Sequence, residues 1–94
     1  MKKSDRQRLD RLSQLGCVVC RNLDLGETPA AIHHLIGHQY RGLSQRASHD
    51  QTIPLCPHHH QGPEGIHTIG MRSWESKFGT QTELLNQVNE ELMA

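Results

Sequence analysis

Hydrophobic positions along this 94-residue chain fall into short groups separated by polar stretches, and the spacing within each group predicts an element. Leu9, Leu12 and Leu15 recur at helical spacing, which predicts a helix over about residues 5–15, capped by Ser4 and followed by Gly16. Cys17-Val18-Val19-Cys20 reads as a short turn between apolar residues. A polar loop from Arg21 to Pro29 leads to Ala30 to Ile36, a short strand. Gly37 to Asp50 is polar and irregular, and His38 falls there as a surface loop residue. Thr52-Ile53-Pro54-Leu55 is a second short strand, whose proline marks an edge position or a strand end. Gln61 to His67 is too rich in Gly and Pro for regular helix. A helical turn or two is expected around Trp74, between Ile69 and Phe78, closed by Gly79. Thr80 or Thr82 caps a last helix in which Leu84, Leu85, Val88 and Leu92 share one face. The order predicts a single α+β domain over residues 1–94: an N-terminal helix (1–16), a cysteine- and histidine-rich core (17–78) and a C-terminal helix (80–94).

Composition sharpens this picture. One Trp, one Tyr and one Phe leave a thin core for a chain near the size where one apolar core only just suffices. Such scaffolds need a staple, either disulfides or a metal. Three cysteines cannot all pair within one chain, whereas eight histidines offer the metal route. No signal peptide and no bilayer-length apolar run are evident, so the chain reads as soluble, cytoplasmic and independent of membranes. In that compartment cysteine spacing is better read as metal binding. The net charge of zero conceals an asymmetry: residues 1–46 hold eight Lys/Arg against four Asp/Glu, and residues 47–94 hold two against six. A basic first half can face phosphates, although ordinary solvated helix charges give the same count.

Two knuckles of matching spacing, Cys17-x2-Cys20 and Cys56-x2-His59, predict a tetrahedral Cys3His structural zinc site. A two-residue turn lets both ligands of a knuckle reach one ion, and three thiolates more than balance the charge of Zn2+. His58 would then face solvent. Once zinc is satisfied, His33, His34, His60 and His67 remain. Such a cluster supplies what phosphodiester hydrolysis requires. A neutral imidazole, with a pKa near about 6.5, deprotonates water, and a divalent ion steadies charge on the phosphate and the leaving 3′ oxygen. Neighbours on a strand point to opposite faces, so His33 and His34 should divide these roles.

Both knuckles, the double histidine before Leu35, Ile53-Pro-Leu-Cys56-Pro-His-His59-His60, Gly62-Pro-Glu-Gly-Ile-His67 and Arg72-Ser-Trp74-Glu75 occur in one order. Together they resemble the HNH (ββα-metal) endonuclease superfamily, closest to the Ref-type phage recombination nucleases, over residues 17–78. The resemblance implies a small zinc-stabilised ββα-metal domain with flanking helices, and an endonuclease hydrolysing DNA phosphodiesters in phage recombination or DNA processing. It implies His34 as general base and His33, His60 and His67 as ligands of a catalytic divalent metal (Mg2+, Mn2+, Ni2+ or Zn2+). A nitrogen-only ligand set suits Zn, Ni, Mn or Co better than Mg. Many members carry an asparagine that orients the base. None stands there in this chain, so His49, Asp50 or Gln51 takes its place, or no residue does. Arg41 and Arg46 flank this region and can hold DNA phosphates, although plain solvation accounts for them equally well. A RecA-type recombinase filament is a further partner implied by the Ref resemblance, and the protein is expected as a monomer or a homodimer. Trp74 is assigned to the core rather than to base stacking. The rival reading is a non-catalytic zinc-knuckle nucleic-acid-binding module, which has no use for four additional histidines.

Overall fold

The structure, a computed structural model, describes residues 1–41 and 48–94. Nine elements follow one another among these residues: α1 (Lys3–Leu15), α2 (Val18–Asn22), β1 (Ala31–His34), α3 (His38–Arg41), β2 (Thr52–Leu55), α4 (Pro57–His60), α5 (Ile66–Ile69), α6 (Met71–Phe78) and α7 (Gln81–Met93). The described residues therefore form a small α+β unit around a two-stranded ribbon.

The strands pair antiparallel, with Ala31 opposite Leu55, Ile32 opposite Pro54, His33 opposite Ile53 and His34 opposite Thr52. A two-stranded ribbon leaves each strand an outer edge, which is where a proline is tolerated. All four residues of β2 are nevertheless buried, because α1, α2, α4 and α7 all pack against this strand. Leu12 of α1 joins Val18, Val19, Leu35, Ile53, Leu55, Ile66, Trp74, Leu84 and Val88 in a single core together with the three cysteines. Truncating one of the large members, such as Leu12, to Ala should cost about 2–5 kcal/mol.

Polar side chains complete the packing of α7. Arg8 donates to Thr52 Oγ1 (3.0 Å), to the Thr52 carbonyl (2.8 Å) and to Asn89 Oδ1 (2.8 Å), joining α1, β2 and α7. Arg21 forms a two-pronged ion pair with Glu91 at 2.7 and 2.9 Å, and Arg11 donates to the Leu92 carbonyl. Part of the positive excess of the first half thus meets α7 rather than an outside phosphate.

Several local expectations are corrected. Helix α1 begins one residue before Ser4, and its N-cap position is Lys2, with no side-chain cap bond. The Cys17–Cys20 segment is the opening of helix α2, with the Cys17 sulfur accepting from the Cys20 amide, rather than a bare turn. Strand β1 is shorter than Ala30 to Ile36. The Gly- and Pro-rich stretch holds the start of helix α5, and α3 interrupts the expected irregular stretch. At the last helix the choice between two threonines resolves to Thr80. Its hydroxyl accepts from the Glu83 amide while the Glu83 carboxylate accepts from the Thr80 amide, a reciprocal capping box.

Candidate metal centre

The first centre is built by two short helices facing each other across the core. Helix α2 carries Cys20 and is preceded by Cys17, and α4 carries His59 and is preceded by Cys56. All four side chains are buried. The Cys20 and Cys56 sulfurs lie 3.6 Å apart, and His59 Nδ1 lies 3.2 Å from Cys56 Sγ, 3.6 Å from Cys20 Sγ and 4.0 Å from Cys17 Sγ. Bond lengths of about 2.3 Å to sulfur and about 2.0 Å to nitrogen in a tetrahedron require edges of about 3.8 Å and about 3.5 Å. The cluster therefore has the dimensions of a zinc site, and it can hold a structural metal such as zinc.

The electrostatics agree. Burial pushes the Cys17 thiol up to about 12, because a thiolate in this core has no compensating charge of its own. A bound cation would supply that charge. Burial, with His58 adding repulsion, lowers the pKa of His59 and so favours the neutral imidazole that ligation requires. The backbone of His59 is fixed by Trp74, whose indole N–H donates to the His59 carbonyl at 3.0 Å, and Phe78 stacks edge-on to the His59 ring with centroids 4.9 Å apart. Trp74 is fully buried, in the core position expected for it. His58 is exposed and, with Lys77, binds Glu64, holding that carboxyl down at about 2.

The second centre consists only of histidines. Ring nitrogens of His33, His60 and His67 all lie within 4.8 Å of one another. The Nε2 atoms of His60 and His67 are 3.2 Å apart, close to the edge of about 3.3 Å that two imidazoles on one tetrahedral ion require. Three separate elements deliver these rings: His33 from β1, His60 from the end of α4 and His67 from α5. The turn between α4 and α5 depends on its glycines. A Cβ at Gly65 would lie 2.4 Å from the His60 carbonyl oxygen, and one at Gly62 would lie 2.8 Å from His58 Cα. Only residues without a Cβ let the chain fold back this tightly and bring His67 over His60.

His33 is almost wholly buried, and burial, reinforced by His60, His67 and His34, pushes its pKa down to about 4 against the opposing hydrogen bond to the Gln81 amide oxygen. His60 is lowered in the same direction by burial and by His67. Rings that resist protonation in this way keep lone pairs available for a metal. On the other face of β1, His34 Nε2 lies 3.0 Å from His49 Nδ1. Of His49, Asp50 and Gln51, His49 makes this contact. Asp50 instead accepts from the Ser48 hydroxyl, and the Gln51 carbonyl accepts from the Leu35 amide at 3.0 Å. Arg46 lies outside the described residues, as does the side chain of Arg41.

A model of the family described as "Protein of unknown function (DUF968)" matches residues 5–94. The chain belongs to this DUF968 family. It is also similar to a curated protein from Escherichia coli (strain K12), "Uncharacterized protein YdfU", at 40% identity over 53 residues. That stretch is 56% of this chain and 14% of the relative, so the chain spans only a small part of the length of the curated relative it matches. No helix among the described residues is long and apolar enough to cross a membrane.

One residue of the second centre has no precedent in the sequence reading. Gln81, the first residue of α7, is completely buried and bonds His33 directly. A signal for it exists in retrospect. Gln81 continues the stripe of Leu84, Leu85, Val88 and Leu92 backwards by helical spacing, and a polar residue on an apolar face is the kind of exception that carries information.

Proposed function

We propose that this chain is a metal-dependent endonuclease of the HNH (ββα-metal) type, hydrolysing DNA phosphodiester bonds. The observation that carries the reading is the convergence of His33, His60 and His67 on one face of β1, while His34, one residue along the same strand, pairs with His49. A structural zinc in the Cys3His cluster would fix α4 against α2 and so position His60.

In this reading His33, His60 and His67 hold a divalent ion, which when bound supplies charge stabilisation to the phosphate and to the leaving 3′ oxygen. His34 accepts a proton from the attacking water. The water oxygen forms the new bond to phosphorus, the bond from phosphorus to the 3′ oxygen breaks, and that oxygen takes a proton from solvent. His49 orients the His34 ring, the task other members give to asparagine. Contacts of Arg41 and Arg46 to DNA rest on the basic first half of the chain, whereas a role in phage recombination and an association with a RecA-type filament belong to the resemblance; all three are proposed with it.

Nicking of supercoiled plasmid across a panel of Mg2+, Mn2+, Co2+, Ni2+ and Zn2+ tests the reading. His34→Ala should keep its zinc, fold and DNA affinity but lose about 10²–10⁴-fold in rate. His33→Ala should also lose activity, and excess metal should partly restore it. If His34→Ala cuts as well as the parent, the base assignment is wrong. Should no metal elicit cleavage from a parent that binds DNA, the zinc-knuckle binding module is the better account.

A further inference from the structure

Gln81 makes four polar contacts, and the three made by its side-chain amide leave that amide a single orientation. Its amide oxygen accepts from the Ile36 N–H at 2.9 Å, and its amide nitrogen donates to the Ile36 carbonyl at 2.9 Å. Its own backbone N–H donates to Glu75 Oε2 at 2.7 Å. The fourth contact joins its amide oxygen to His33 Nε2 at 3.1 Å. Turning the amide over would set its NH2 against the Ile36 N–H and its oxygen against the Ile36 carbonyl, losing two hydrogen bonds and adding two repulsions. The backbone of Ile36 therefore decides which end of the amide faces His33, and that end is an oxygen, which can only accept. His33 Nε2 must then be the nitrogen that carries the hydrogen, and its Nδ1 the one that carries the lone pair.

From this geometry we propose that Gln81 is a positioning residue for the histidine metal centre, locking His33 in the Nε2–H tautomer so that Nδ1 is offered to the metal. The proposal rests on reading His33, His60 and His67 as a metal site. A metal-binding imidazole is normally held by a partner on its other ring nitrogen, and removing such a partner typically weakens metal binding about 10–100-fold. Here the partner comes from α7, so docking of the C-terminal helix and readiness of the metal site are coupled through one side chain. Gln81 touches neither metal nor substrate in this scheme, and its effect is transmitted through the His33 ring.

The test reads the tautomer directly. In the 15N-labelled parent, loaded with structural zinc but with no second metal, long-range 1H–15N correlation should show His33 with Nε2 protonated and Nδ1 bare. Titration with Zn2+ should then shift His33 Nδ1 and leave Nε2 protonated. Gln81→Met, of similar length but without hydrogen bonds, should bind this second zinc about 10–100-fold more weakly while retaining the first. A His33 protonated at Nδ1 in the parent overturns the proposal, whether or not the variant folds. So does a folded Gln81→Met protein with parental affinity for the second zinc. Neither readout requires cleavage. A parent that shows the expected tautomer and binds the second zinc, yet never cuts DNA, would refute the nuclease reading and leave the role of Gln81 standing.

Discussion

Gly65→Ala should separate the two centres. The added methyl would lie 2.4 Å from the His60 carbonyl oxygen and 2.5 Å from its carbonyl carbon. Even weak carbon–oxygen contacts need about 3.3 Å. The turn must therefore open by about 0.9 Å, and no flexible side chain is available to absorb the shift, because both neighbours are backbone. Overpacking of this kind costs about 1–3 kcal/mol. In a domain of this size that corresponds to a fall in Tm of roughly 5–20 °C. The displacement also exceeds by several-fold the ~0.2 Å tolerance of metal–ligand distances. The Cys3His cluster takes its ligands from before the turn and should keep its ion. The His60–His67 pair spans the turn and should not survive intact. Differential scanning fluorimetry with and without Ni2+, beside a zinc count by mass spectrometry, provides the assay. Expected are one retained zinc, a lower Tm, and loss of most of the nickel-dependent rise in Tm seen for the parent. A variant with parental Tm and the parental nickel response would refute the claim that Gly65 is required by the close approach.

Three further outcomes follow from other parts of the structure. Cys56→Ser should yield an unfolded or insoluble chain, since structural zinc contributes roughly 10 kcal/mol or more to small domains, as much as a typical domain's whole stability; a folded, zinc-free variant on circular dichroism would contradict this. His33 has its pKa depressed from 6.5 to about 4, so between those values the unfolded chain binds the extra proton and the folded chain does not. The His33 contribution to stability should accordingly fall as pH drops through this window, by about 3 kcal/mol, and be exhausted below it; urea titrations of the parent and of His33→Gln with identical pH slopes would show that His33 is not the cause. Thr80→Ala removes the hydroxyl that caps α7 and should cost about 1 kcal/mol, measurable as a shift in the urea midpoint with an unchanged m-value.

The parts of the molecule that the sequence made legible are those set by short-range spacing. The two knuckles could be read because a two-residue separation is itself the geometric requirement. The apolar face of α7 could be read because side-chain period and backbone geometry are the same fact. Helix α4 was harder, since Pro57 followed by three histidines carries no apolar period, and α5 is only four residues long. What remained hidden depends on contacts between residues far apart in the chain. Arg8 and Arg21 carry the same formal charge as a DNA-binding arginine, and only the positions of β2 and α7 show that they bind Thr52, Asn89 and Glu91. His49, Asp50 and Gln51 were equivalent candidates until the register of the ribbon brought His49 to His34. The bond between Gln81 and His33 spans 48 positions, and nothing local announces it.

The docking of α1 beside α7 has a consequence for how this unit can be joined to other proteins. Ser4 and Met93 line the same cleft, along with Arg8, Arg11 and Asn89, so the first turn of α1 and the last turn of α7 meet at one edge. A unit of this kind can be spliced into a surface loop of a host protein with little separation of the host's flanking segments, and circular permutation becomes a matter of a short linker. The same closure carries a kinetic burden. Contacts such as Arg8 with Asn89 bridge 81 positions, so this seam should assemble late in folding, after the shorter-range contacts in the middle of the chain.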